Sequence, residues 1–346
     1  MARYIAKRLL YMIVVFFLLT FILFVLYHLM PANRAYTDAR AEVQTLKRLS
    51  EEEKATKFDE LYLKYQRLYG TDTDNNVILY LRWLGLYPYY DGHYSGIFQG
   101  DFGFSYDYNQ PVMEVVPVHM RNSLIINLIT EIAVLGITIP LGIKCAVKKN
   151  SRFDRFTQFF TLIGFSTPSF IIYIVFIVFF CSILGWFPVS GMKTPGTNYT
   201  GLQNVLDVLH HVTLPTICLT FGSLASITRI TRASMIDALN LDCIRTARAK
   251  GLSEKVVIYS HAWRNALVPM VSIIVGGFFG MFSGSMILET MFGFKGMGLL
   301  FLNAMRNADY DVIMFLEVIY TFIGLFSNLV IDLCYGIVDP RVRISK

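Results

Sequence analysis

Arg245-Thr-Ala-Arg-Ala-Lys-Gly-Leu-Ser-Glu254, followed by His261-Ala-Trp-Arg-Asn-Ala-Leu-Val-Pro269, is the stretch on which the reading of this chain turns. It lies within a longer segment, Ser234 to Pro269, that has apolar sequence on both sides. Ser234 with Asp237 three residues on has the character of a capping box, Asp standing where Glu or Gln is usual. Arg245, Arg248 and Lys250 lead up to Gly251, the order expected where a helix ends. Cations suit a helix C-terminus, and glycine accepts the left-handed residue beyond it. Ser253 is placed to cap a second helix. The sequence predicts a short helix, a glycine turn and another short helix. Such a polar hairpin, held between two membrane helices, is suited to touching a soluble partner.

Composition agrees with a membrane setting. The 346 residues are 54% hydrophobic and 16% charged, against about a quarter charged in ordinary soluble domains. An apolar run from Leu9 to Met30 follows Arg3, Lys7 and Arg8. It is near the ~20 residues a helix needs to cross the hydrocarbon, longer than a signal-peptide core, and followed by no convincing small-x-small cleavage site. Further spans are expected at Asn122–Val147, Phe156–Leu184, Val212–Thr228, Leu267–Met291 and Val312–Val338, six in all. Cations gather at the N-terminus, at Lys148, Lys149, Arg152 and Arg155, in the hairpin with Arg229, Arg232 and Arg264, and at the tail Asp339-Pro-Arg-Val-Arg343. The opposite short loops hold only Lys193, Lys295 and Arg306. The positive-inside rule then places both termini and the hairpin in the cytoplasm.

The division expected is an N-terminal span at 1–30, an extracytoplasmic domain at 31–118, a core of five spans at 119–338 with its loop at 233–266, and a tail at 339–346. Within 31–118, one helix is expected over Ala39–Tyr69, with Glu51–Glu53 pairing to Lys54 and Lys57. A second, over Asn76–Gly85, precedes the Tyr-rich run Leu86–Tyr94. The five cysteines, Cys145, Cys181, Cys218, Cys243 and Cys334, suggest no disulfide framework and read as small packing residues. The part between Arg34 and Gln99 reads either as a small extracytoplasmic cap or as a docking surface for a binding protein.

The quoted stretch resembles the cytoplasmic coupling loop of ABC importer permeases, and specifically the B-type permease of dipeptide and oligopeptide importers. The general pattern of that family runs Glu-Ala-Ala, three residues, Gly, then hydrophobic-x-Leu-Pro. Arg245 stands at the Glu position and Pro269 lies further from Gly251 than in sugar-type permeases, departures that the peptide branch shares. Gly100-Asp-Phe-Gly-Phe-Ser105, Pro111-Val-Met-Glu-Val-Val116, Gly164-Phe-Ser-Thr-Pro-Ser-Phe170, Leu184-Gly-Trp-Phe-Pro-Val-Ser-Gly191, Glu289-Thr-Met-Phe292 and Gly296-Met-Gly298 are similar too. Lys295 stands where the family usually has Pro, and Ala308-Asp-Tyr-Asp311 where it favours Arg-Asp-Tyr-Pro. The likeness covers the first span and most of 100–343, but not 34–99.

The resemblance implies an all-α, six-span membrane protein with a type I ABC importer permease core and a cytoplasmic coupling helix. Asp242, Arg245, Thr246, Ala247, Arg248, Ala249, Lys250, Gly251 and Asn265 would meet the ATPase. The chain would bind no cofactor or metal of its own, while partner ATPase subunits use ATP and Mg. Its partners would be a homologous second permease, two cytoplasmic ATPase subunits and an extracytoplasmic substrate-binding protein, in the cytoplasmic membrane of a bacterium or archaeon. Peptides are the first expectation for cargo; nickel chelates and oligosaccharides stay open.

Inside the spans, Glu131, Glu289, Glu317 and Asp332 are costly to ionise unless hydrated or paired. Asp332 is expected to pair with Arg229 or Arg232. Glu131, Ser166, Pro168, Glu289 and Glu317 are candidates for the translocation path, with Glu131 either tuning substrate or protonated and hydrogen-bonded. Pro168 is expected to kink its span. Gly276, Gly280 and Gly284, at spacing four, read as helix packing, within the chain or against a second subunit. No Gly-x-x-x-x-Gly-Lys-Ser/Thr loop occurs, so nucleotide hydrolysis is expected elsewhere. His210-His211 reads as a polar edge rather than a metal site, and no basic stripe with stacking aromatics points to nucleic acid. The rival readings are an ATP-independent secondary transporter or channel, which would ask for discontinuous helices and an internal repeat, and a membrane anchor whose working part is the domain Pro31–Arg121.

Overall fold

The computed structural model describes residues 2–29, 34–46 and 50–338. The basic tail 339–346 and the junction 30–33 lie outside the described residues. In chain order the helices begin with α1 (Ala2–His28), α2 (Arg34–Thr45), α3 (Glu51–Leu68) and α4 (Asn76–Trp83). A two-residue hairpin, β1 (Phe104–Ser105) and β2 (Gln110–Pro111), precedes α5 (Val112–Val147), α6 (Arg152–Ser166) and α7 (Ser169–Phe176). Then come α8 (Gly201–Leu239), α9 (Asp242–Ala249), α10 (Glu254–Val256), α11 (Trp263–Gly280), α12 (Met286–Met291), α13 (Met297–Asn307) and α14 (Tyr310–Val338). Wide π turns extend α7 over Ile177–Ile183 and link α10 to α11 over Val257–Ala262.

Among the described residues, five helices are long and apolar enough to cross a membrane, and a sixth crossing exists if the pair α6 and α7 counts as one. That pair is bent by 101°. The cause is local: Thr167, ahead of Pro168, is pushed to extended backbone (φ −91°, ψ 127°) and cannot continue the helix. The kink expected at Pro168 is therefore a full break. Helices α5 and α8 run well past the apolar stretches read from the sequence, because the criterion of hydrophobicity stops at the lipid while the hydrogen-bonded backbone continues beyond it.

The contacts divide into two compact units, Met1–Val118 with Phe301–Phe322, and His119–Leu300 with Ile323–Lys346. In the first, α2 packs on α3 through Ala39, Val43 and Leu61, flanked by Phe58, Tyr62 and Tyr65. The single helix expected over 39–69 is thus two. Ser50 restarts the chain with a complete capping box, its hydroxyl accepting from Glu53 N–H and the Glu53 carboxylate accepting from Ser50 N–H. Lys57 pairs with Glu60 at 2.7 Å. Tyr80 fastens α4 to α1, with its hydroxyl 2.7 Å from Thr20 Oγ1 and its ring edge-on to Phe21 and Phe24. The β-hairpin is tied to the start of α14: Asp309 accepts from Ser105 Oγ (2.6 Å), and Asp311 from Phe104 N–H (3.0 Å).

In the second unit, Gly142 lets α5 approach α8 so closely that a Cβ there would meet Thr231. Ile126, Ile172, Tyr173, Leu214, Leu288 and Phe292 form one apolar cluster that joins α5, α7, α8 and α12. The Asp154 carboxylate is buried and held by both arms of Arg232, each at 2.7 Å. This corrects the expectation that Arg232 or Arg229 serves Asp332: Arg232 is occupied by Asp154, and Arg229 lies over the ring of Phe165 at 5.6 Å. Three cysteines are buried and Cys334 is half-buried; Cys243 alone among the described cysteines is exposed.

Candidate functional site

The hairpin begins where α8 ends. Helix α8 continues straight through Ser234 to Leu239, so Ser234 is interior and caps nothing. The N-cap position of α9 is Leu241, and Ser253 precedes α10 without a side-chain cap bond. Gly251 sits at φ 75°, the left-handed conformation that its place after α9 requires. Arg248 reaches across this turn to Glu254, Nε to Oε1 at 2.8 Å and Nη2 to Oε2 at 3.3 Å. The turn is thereby braced by its own ion pair, and Arg248 is a clamp within the hairpin rather than a free contact.

Helix α9 has two distinct faces. Ile244 and Ala247 are buried. They pack with Met235 and Ala238 of α8, Val257 and Ala262 of the π turn, Ala266 of α11, and Ile143 and Ala146 of α5. Asp242, Arg245, Thr246, Ala249 and Lys250 are exposed. Ala247, expected among the contact residues, therefore faces inward: at spacing three from Ile244 it falls on the same side of the helix. Arg245 lies 3.4 Å from Asp242, in an exposed pair, and Asn265 donates to His261 C=O at 2.8 Å. One apolar cluster thus binds the hairpin to the ends of three long helices while its polar side stays open.

The other candidate residues are scattered. Ser166 and Pro168 are exposed at the α6–α7 break. Glu317 is partly buried and accepts from Tyr27 Oη at 3.2 Å. Glu131, on α5, is partly buried with its carboxylate against Gly277 of α11, where a Cβ would collide with it. Glu289 is buried and faces no open space. It accepts from Ser123 Oγ (2.8 Å), Leu299 N–H (2.8 Å) and Ser285 N–H (3.2 Å), fixing α12 in place. The span expected over 267–291 ends at Gly280, so Gly284 lies beyond the helix and the glycine stripe is cut. A Cβ at Gly276 or Gly280 would meet nothing, whereas one at Gly284 would strike Gly298 and Glu289. His210 and His211 bond backbone carbonyls of Trp186 and Asp207.

Residues 138–344 match the model of the family described as binding-protein-dependent transport system inner membrane component. The chain belongs to this family. The match takes in the hairpin, α8 and α11 and covers more than half of the sequence. The oligopeptide transport system permease protein AppB of Bacillus subtilis is 37% identical over 80% of this chain and 83% of its own length. The oligopeptide permease OppB of Haemophilus influenzae is 33% identical over 75% of this chain and 81% of its own. The dipeptide permease DppB of Lactococcus lactis is 36% identical over 75% and 80%. The inward-facing methionine ABC transporter MetNI shares the fold, with a TM-score of 0.51 and 16% identity over 66% of this chain and 97% of the matched chain. The chain is an ABC importer permease, the membrane component of a system that also has an ATPase and a substrate-binding protein. The break at Pro168, a feature a secondary transporter would also show, is here part of a permease.

Proposed function

We propose that this permease carries peptides, forms half of the translocation path beside a homologous second permease, and takes its driving force from two separate ATPase subunits. The curated relatives named for oligopeptides and dipeptides favour peptide cargo over nickel chelates or oligosaccharides. The observation that carries the coupling role is the division of α9 into a buried apolar face and an exposed polar one. An amphipathic helix presented in this way suits a groove on a soluble partner. In this reading Asp242, Arg245, Thr246, Ala249 and Lys250 touch the ATPase, Ile244 and Ala247 pass its motion to α5, α8 and α11, and Arg248 keeps the turn at Gly251 stiff. ATP and Mg act on the partner subunits, and reversing a 1:99 preference between inward- and outward-open states takes about 5.5 kcal/mol of differential binding.

The hairpin and both termini are then cytoplasmic, in a bacterial or archaeal cytoplasmic membrane, and 31–118 lies outside. Gly276 and Gly280, open on the surface of α11, are the seam for the second permease, while Glu131 and Glu317 remain the carboxylates for the path wall. Charge reversal at Arg245 and Lys250 together tests the coupling. Membrane insertion stays intact and ATP hydrolysis continues, but uptake of a labelled peptide falls by at least ten-fold. Normal uptake at wild-type protein level overturns the assignment. In parallel, the exposed Cys243 thiol is labelled from the cytoplasm only when the ATPase is missing; equal labelling in the assembled complex refutes docking.

A further inference from the structure

Residues 34–99 are the part of the chain least like the usual peptide permease, and together with the ends of α1 and α14 they line a cavity of about 390 Å³. All of its lining belongs to the first compact unit. Seven Phe, Tyr and Trp rings stand around it: Phe24, Tyr27, Tyr62, Tyr69, Trp83, Tyr89 and Tyr310. A cavity of this size, lined by rings and by polar side chains in about equal measure, is large enough to hold a small ligand.

Several polar groups of the wall are already committed. Arg82 is buried, and it gives its hydrogens to the Asp72 carboxylate and to the carbonyls of Gly70 and Pro88, so its charge is answered in place. Tyr69 donates to Asp38 at 2.6 Å, and Tyr27 to Glu317 at 3.2 Å. What remains is mostly negative or able to accept. Thr71 Oγ1 is buried without a hydrogen-bond partner, an arrangement that costs free energy unless something fills it. Asp74 stands exposed on the lining, and Asp311, which also accepts from Phe104 N–H, adds the negative charge of a second carboxylate.

Tyr89 reports the sign of the field. Burial pushes its hydroxyl pKa up, and the charges of Asp101 and Asp311 push it further up, against a smaller opposing effect of Arg82. Rings of this segment, Tyr89 on the lining and Tyr90 beside it in sequence, already receive cations. The Arg67 guanidinium lies 4.5 Å from the centroid of Tyr90, and that of Arg82 lies 5.5 Å from Tyr89. Aromatic faces within about 6 Å of a cation attract it through the ring quadrupole, most strongly where water is excluded.

We propose that this cavity binds an organic cation, an ammonium or guanidinium group on an apolar stem, such as a peptide presents at its amino terminus or on a lysine or arginine. The rings take the stem, Asp74 and Asp311 balance the charge, and Thr71 Oγ1 accepts an N–H. The cation chemistry stands on the cavity alone; the peptide as its source rests on the function proposed above.

The test uses the full chain assembled with its partner subunits in lipid nanodiscs, without nucleotide. Three amidated tripeptides of equal length are titrated: norleucine-Ala-Ala with a free amino terminus, N-acetyl-Lys-Ala-Ala, and N-acetyl-norleucine-Ala-Ala. Trp83 fluorescence is the readout, with Trp83→Phe as the blank. Either or both of the charged peptides bind saturably and at least ten-fold tighter than the neutral one, and which of the two binds identifies the source of the cation. Asp74→Asn weakens that binding three- to ten-fold and leaves the melting temperature unchanged. Equal affinity for all three peptides, no saturable change at Trp83, or an Asp74→Asn complex that binds as well as the parent overturns the proposal. The outcome is separable from the coupling test: a failure at the hairpin leaves this titration intact, and a failure here leaves the effect of the Arg245 and Lys250 reversals standing.

Discussion

The hairpin at 242–254 and the segment at 34–111 are both polar stretches joined to apolar helices, but they are held by different means. The hairpin rests on a few small apolar side chains, Ile244 and Ala247 against Met235, Ala262 and Ala266, and turns every charged group outward. The segment is held by aromatic rings and by hydroxyl–carboxylate bonds such as Tyr69 to Asp38 and Ser105 to Asp309, and it leaves a cavity among them. Close packing of short side chains makes a part that moves as one piece with the helices beneath it. The rings and hydrogen bonds of the segment leave a recess between them. The first arrangement suits the passage of force and the second suits the reception of a ligand.

The contrast can be broken by removing what each region depends on. The largest expected effect is at the buried ion pair in the unit that carries the hairpin. Arg232→Ala strands the buried Asp154 carboxylate, and breaking such a pair costs about 3–5 kcal/mol. A thermal melt of the detergent-solubilised chain shows the loss, and the double change Arg232→Met with Asp154→Leu recovers most of it. An unchanged melt for the single variant contradicts the role given to the pair.

Next is Ile244→Ala, which empties a fully buried position under α9 at about 2–5 kcal/mol. Because the position is local, hydrogen exchange speeds up in α9 and the turn at Gly251, and little elsewhere. Uniform exchange across the chain would mean that the hairpin is not a separate piece. Tyr80→Phe sharpens the other side of the comparison. It removes a hydroxyl that meets Thr20 Oγ1 and the Phe17 carbonyl but keeps the ring, for about 1 kcal/mol by the same thermal melt. A larger cost than that of Ile244→Ala would reverse the ranking of the two regions.

The smallest effect is on pH. The Ser50 N–H and hydroxyl hold the Glu53 carboxyl below its usual range. A depressed acid stabilises above its unfolded pKa, and that contribution is lost as pH falls through the folded value. Helical circular dichroism therefore drops slightly on acidification in this region, and Glu53→Gln flattens the dependence.

How far the molecule could be read from its sequence follows from how local each cause is. Gly251 and Pro168 act on their own backbone, so the turn and the break were visible, although the break is larger than a kink. The apolar runs gave the spans because hydrophobicity over ~20 residues has few other meanings. The ends of α5 and α8 were hidden, since polar residues outside the lipid lie in helix as readily as in loop. Partnerships across long separations were hidden as well. Arg232 and Asp154 are 78 residues apart, and Asp332 looked equally eligible by depth. The inward face of Ala247 was hidden because a motif gives residue types in order, while burial depends on what packs beneath. The cavity had no signature beyond a surplus of tyrosine.

One feature of the second unit has a bearing on which residues can stand in for one another. The hydrogen-bond partners of the Glu289 carboxylate supply hydrogens, among them the Ser123 hydroxyl, which itself receives one from Met297 N–H, and the backbone of Ser285 and of Leu299. Glutamine has the same outline but would turn an NH₂ toward a group that also bears hydrogen, so similarity of shape is no protection here. In a library of codons at this position, the acid would be retained for its lone pairs, and the amide would be lost along with the alkyl replacements.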